Sequence, residues 1–80
     1  MLLSNRTTVP VVLSRDLDTG AYEAKCVTLR ECVGRGSTEA EAMARLKEHA
    51  RELLADRKAR NAPMFDEARV IFMEIALDAE

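Results

Sequence analysis

The 80 residues make a single domain, 1–80. A chain this short buries only about 60–65% of its unfolded surface, which makes association a common source of added stability. Hydrophobic residues at 48% and charged residues at 32% exclude a disordered chain. Twelve basic and fourteen acidic residues give a net charge of −2, which argues against a free-standing nucleic-acid binder and permits a basic protein partner.

In chain order, Thr7 to Ser14 (TTVPVVLS) is rich in β-branched residues. Val9, Val11 and Leu13 fall on one face at period two, which predicts a strand with Pro10 near its start or on an edge. Asp16-Leu17-Asp18-Thr19-Gly20 has the short polar side chains and the glycine of a turn. A second strand follows, with Tyr22, Ala24 and Cys26 on one face and Glu23 and Lys25 on the other, so the first two strands form a hairpin. Thr28 to Glu31 break the alternation. Cys32-Val33 then begins a short third strand, closed by Gly34-Arg35-Gly36 as a turn.

Thr38 and Glu41 spell a capping box, in which the hydroxyl accepts from the N3 amide and the carboxylate reaches back to the cap amide. The helix it starts runs from about Glu39 to Arg57 or Arg60. Its apolar stripe is Ala42, Met43, Leu46, Ala50, Leu53 and Leu54. Glu41 precedes Arg45 by four residues, the favourable orientation for a helix pair. Asn61-Ala62-Pro63 stops the helix. In the last segment, EARVIFMEIALDAE, Ile71, Met73, Ile75 and Leu77 alternate with Val70, Phe72, Glu74 and Ala76. The alternation favours a strand, and a helix capped by Asp66 is the alternative.

The expected fold class is therefore α+β, with order β-β-β-α-β and one helix packed on one face of a small sheet. Val70 and Phe72 would then lie on the face opposite the helix, an apolar patch that predicts an oligomer interface and a homodimer or larger even assembly. No apolar run reaches the ~20 residues that cross a bilayer. The first ten residues lack the charge and length of a signal peptide, so a cytoplasmic location is expected. There Cys26 and Cys32 read as free thiols, small buried hydrophobes rather than redox groups.

Chemistry-bearing constellations are sparse. Two cysteines and His49, the single histidine, fall short of a four-ligand zinc site, and no cofactor is expected. His49 borders the apolar stripe and reads as a half-buried packing residue, with no nucleophile to serve. Gly34-Arg35-Gly36 lacks the lysine of a phosphate loop and the spacing of a dinucleotide loop. Asp16 and Asp18 lack the closing glutamate of a calcium loop. Arg57-Lys58-Ala59-Arg60 has no interleaved aromatics and reads as a solvated helix end. Nothing here assembles an active site, so a non-enzymatic role is expected.

Leu29, Cys32-Val33, Gly36, Ser37-Thr38 and Glu41-Ala42 spell L-x-x-C-V-x-x-G-S-T-x-x-E-A, after a strand that contains Tyr22-Glu23-Ala24. Over about residues 9–57 this resembles the HicB-like antitoxin family, whose pattern is Y-x-A … P-D-L-P-G-C-x-x-x-G-D-T-x-x-E-A before an amphipathic helix and a final strand. Val27, Thr28, Arg30 and Glu31 stand where that family usually has Pro, Asp, Pro and Gly. The resemblance implies a partial ribonuclease-H-like fold without nuclease chemistry. It implies a toxin–antitoxin role in which the domain sequesters a small basic HicA-type ribonuclease by steric occlusion. The expected contacts are Asp16, Asp18 and Glu23 around the hairpin turn and Arg30 and Glu31 before the third strand. Many HicB antitoxins add a DNA-binding module. Here about three residues follow Leu77, so direct DNA binding is not expected. An orphan homo-oligomeric adaptor of the same fold is the alternative.

Overall fold

The computed structural model of the protein describes residues 7–78. They form β1 (Val11–Arg15), β2 (Tyr22–Cys26), β3 (Val33–Gly36) and α1 (Glu39–Ala59). The three strands make one antiparallel sheet in the order β1-β2-β3. The architecture is thus a small α+β fold with one helix against a three-stranded sheet.

Register assigns the faces. Leu13 stands across from Ala24, and Val11 across from Cys26. Ala24 and Cys26 are buried under the helix, so their partners share that side. Val12, Ser14, Glu23, Lys25, Val33 and Arg35 occupy the open side. That side is polar rather than apolar: Glu23 Oε2 lies 2.8 Å from Arg35 Nε, and Glu23 Oε1 3.6 Å from Lys25 Nζ.

The core is compact and built mostly from the sequence signature. Leu29 and Cys32 are fully buried from the β2–β3 connection, beneath Ala42 and Leu46 of the helix and beside Ala24 and Cys26. The helix packs on β3 and β2 rather than on β1. Its approach to β3 explains the glycines. A Cβ on Gly34 would lie 2.8 Å from Leu46 Cα, and one on Gly36 would lie 2.7 Å from Glu41 Cβ. Gly34-Arg35-Gly36 is therefore no turn, as the sequence had suggested. It is part of β3, with the helix backbone lying directly on Gly34 and the Glu41 side chain on Gly36, while Arg35 points to the open face.

The ends of α1 follow local chemistry. Thr38 Oγ1 accepts from Glu41 N at 3.1 Å. Glu41 Oε1 accepts from Ser37 N at 2.8 Å, one residue before the expected cap amide. At the other end Asn61 has φ 60°. Ala62 N donates to Arg57 O at 2.8 Å and Asn61 N to Lys58 O at 3.1 Å, the paired bonds of a Schellman cap. Met43, placed in the apolar stripe by its spacing, is 40% exposed and belongs to the helix flank.

The final strand is not formed within the chain. Residues 67–78 carry no helix or strand assignment. Val70 is 56% and Phe72 94% exposed, and Ile71, Met73, Ile75 and Leu77 stand in solvent with them. Among the described residues the expected β-β-β-α-β order is therefore seen as β-β-β-α, followed by an apolar segment that pairs with none of them. The helix alternative for this segment is not formed either. The molecule measures 59 × 28 × 26 Å with a radius of gyration of 16.1 Å, against about 12 Å for a compact chain of this length.

Candidate functional site: a protein-binding surface

The residues expected to touch a partner occupy two separate places. Asp16 and Asp18 sit at the β1–β2 tip, and Arg30 and Glu31 sit in the β2–β3 connection at the other end of β2. The five residues of β2 keep the two groups roughly 15 Å or more apart. Glu23 lies between them on the open face.

Several of these groups are occupied internally. Asp16 is the keystone of its turn: its Oδ1 accepts from Asp18 N at 2.8 Å and from Thr19 N at 3.4 Å, an Asx turn. Its own amide donates to Ala21 O at 2.8 Å, and Gly20 turns the chain with φ 76°. Glu23 is held by Arg35 and Lys25. Among the described residues, the side chains of Asp18, Arg30 and Glu31 are exposed and enter no ion pair. They are the expected contact residues whose charge is available to a partner.

Spacing did not single out Asp66, which ties the post-helix chain to the β2–β3 connection. Asp66 N donates to Thr28 O at 2.8 Å, and Asp66 Oδ2 accepts from Arg30 N at 3.0 Å. Asp66 Oδ1 lies 3.2 Å from Arg57 Nη1, which also donates to Met64 O at 3.1 Å. The Arg30 amide and then the Arg57 guanidinium hold the Asp66 carboxyl below its ordinary range. Arg57 is thus no solvated helix end, since its side chain is only 13% exposed. Lys58 and Arg60 do face solvent, with Arg60 Nη2 2.8 Å from Asp56 Oδ2. The faint signal for Asp66 was its place after Pro63, where it read as a helix cap. It caps the β2–β3 connection instead.

His49 does more than pack. Its Nδ1 lies 3.3 Å from both the N and the O of Val33. The unprotonated nitrogen accepts from the amide, and the other tautomer donates to the carbonyl. Arg45 Nη1 donates to Arg35 O at 2.9 Å. Two helix side chains therefore cover the outer edge of β3.

Cys26 and Cys32 are free and buried. Burial first, then the hydrogen bond and charge interaction with Cys26, push the Cys32 thiol up to about 12. A thiol in that environment is a poor nucleophile and metal ligand. No group of three or more metal-ligating side chains occurs among the described residues. No helix among them is long and apolar enough to cross a membrane.

Comparison with protein-family models, curated proteins and solved structures finds no match.

Proposed function

We propose that the chain is a non-catalytic, cytoplasmic protein-binding domain similar to the HicB antitoxins, which covers a small basic HicA-type ribonuclease and occludes its RNA-binding face. The observation that supports this most is the use made of the signature residues. Leu29, Cys32 and Ala42 fill the core, Gly36 admits the helix, and Thr38 with Glu41 starts it. The pattern that carries the resemblance is therefore a pattern of fold-making residues. It leaves Asp18 and Glu31 outward as acidic contacts for a basic partner. Net charge −2 suits such a partner.

The test is an RNA-cleavage assay with a purified HicA-type ribonuclease encoded beside this chain. Cleavage should fall to background at a one-to-one ratio, and charge reversal by Asp18→Lys with Glu31→Lys should restore it. Unchanged cleavage in excess of the chain contradicts the reading.

A second reading, an orphan homo-oligomeric adaptor of the same fold, is favoured by one observation. Thr28 and Arg30 stand where the antitoxins carry their aspartate and second proline, and here their backbone groups are bound by Asp66 of the same chain. A loop tied down in this way presents a different surface from a free proline turn. Affinity capture that returns a stoichiometric partner without ribonuclease activity supports this reading. Both readings share the expectation of a homodimer or larger even assembly.

A further inference from the structure

We propose that Val70–Leu77 of one copy adds as a fourth strand along the outer edge of β1 in a second copy, and that the exchange is reciprocal. This rests on the homo-oligomeric part of the reading above and not on the ribonuclease.

The acceptor is defined by the sheet's two edges. The Cys26 amide donates to Cys32 O at 3.2 Å, so the backbone groups of Cys26 point toward β3. Val11, across from Cys26 in β1, must then point its own N–H and C=O outward, and alternation sends those of Leu13 the same way. Val27 N donating to Pro10 O at 2.9 Å fits this phase. The same alternation turns Val33 and Arg35 outward on β3, where His49 and Arg45 bind them. One edge is therefore closed by helix side chains. Among the described residues nothing bonds the outward groups of Val11 and Leu13. An open edge of this kind is a template for another strand.

On the helix side that edge carries Val11 and Leu13, with Arg15 beyond them. Because α1 lies over β3 and β2, the helix-side face of β1 is only partly covered, and Leu13 remains 37% exposed. Val9, Val11, Leu53, Leu54 and Phe65 are half-buried against the core. A strand laid here would extend the core.

The donor is the same chain's last segment. Residues 70–77 alternate as a strand does, and among the described residues no hydrogen bond or ion pair holds 67–78. Asp66 fixes the point at which the segment departs, and beyond it the chain stands clear of its own sheet. One face of the segment is apolar throughout, with Ile71, Met73, Ile75 and Leu77, and the other carries Val70, Phe72 and Ala76 with the charged Glu74 among them. One helix covers one face of one sheet. Donor and acceptor on one chain make a self-complementary surface, which two copies satisfy around a two-fold axis.

The test uses the full chain. Isotope-labelled and unlabelled copies are unfolded together, refolded and studied by isotope-filtered NMR, with mass from light scattering. The proposal expects twice the 8.9 kDa chain mass and inter-copy contacts between Val11–Leu13 and residues 70–77. The same contacts confined to one copy, a particle of one chain's mass, or inter-copy contacts that avoid β1 would each overturn it. Two variants act on opposite partners. Leu13→Pro removes an outward donor while leaving the β2 ladder intact. Phe72→Asp with Ile75→Asp charges the donor strand. Each should raise the dimer dissociation constant at least roughly tenfold while the helical signal of α1 is retained, and a constant unmoved by either contradicts the proposal.

Discussion

At Gly34 the sheet and helix meet backbone to backbone, and no side chain fits between Val33 and Arg35 on the helix side. Gly34→Ala should cost about 3 kcal/mol, the upper end of overpacking penalties, because the atoms it meets belong to the helix backbone and cannot rotate away. Urea unfolding of the two proteins measures the difference. Cys32 gives a prediction in pH. Burial pushes its thiol up from an ordinary 9.0 to about 12, so the folded state holds the proton more tightly. Its contribution to stability is complete below about pH 9 and is lost as pH rises toward 12. Cys32→Ser should move this alkaline loss, and a thiol reagent at neutral pH should leave both cysteines of the folded chain unmodified.

Among the elements, the post-helix latch is the least expected from sequence. Asp66 binds the Thr28 carbonyl, the Arg30 amide and the Arg57 guanidinium at once. A carboxyl held below its ordinary value stabilises the fold above the unfolded-state pKa, and that contribution disappears as pH falls through the folded-state value. Asp66→Asn should remove this acid dependence and speed hydrogen exchange at Arg30 and Asp66 without unfolding the helix. The helix start depends on Thr38, and Thr38→Ala should cost about 1 kcal/mol.

The same elements show where sequence reasoning succeeds. Period-two alternation puts Tyr22, Ala24 and Cys26 on one face, which is the helix-covered one, and the capping box puts the start of α1 at Glu39. These are local signals, carried by residues whose partners lie one turn or one hairpin away. The glycine pair was misread because a close helix approach is a long-range fact that looks, in one dimension, like a turn. The roles of Asp66, Arg45 and His49 were hidden for the same reason, since each binds backbone groups that carry no sequence mark. The alternation of residues 70–77 was legible as a strand pattern. Its partner was not, because pairing is not encoded in the strand's own period.

At the scale of the molecule, the described residues form a sheet with one edge closed by helix side chains and one edge that nothing among them binds, followed by an apolar segment that none of them pairs. The acidic tip at Asp18 and the exposed Glu31 sit at opposite ends of β2. A single globular partner reaching both must therefore span the length of the strand, and double charge reversal should weaken binding more than either change alone.

Amide hydrogen exchange across a dilution series tests the strand-exchange account most directly. Reciprocal strand exchange requires slow exchange at Val11, Leu13 and alternate residues of 70–77 at high concentration, with protection falling together on dilution, while Val33 stays protected by His49. Protection of β1 and 70–77 that is independent of concentration, or absent at every concentration, would contradict it.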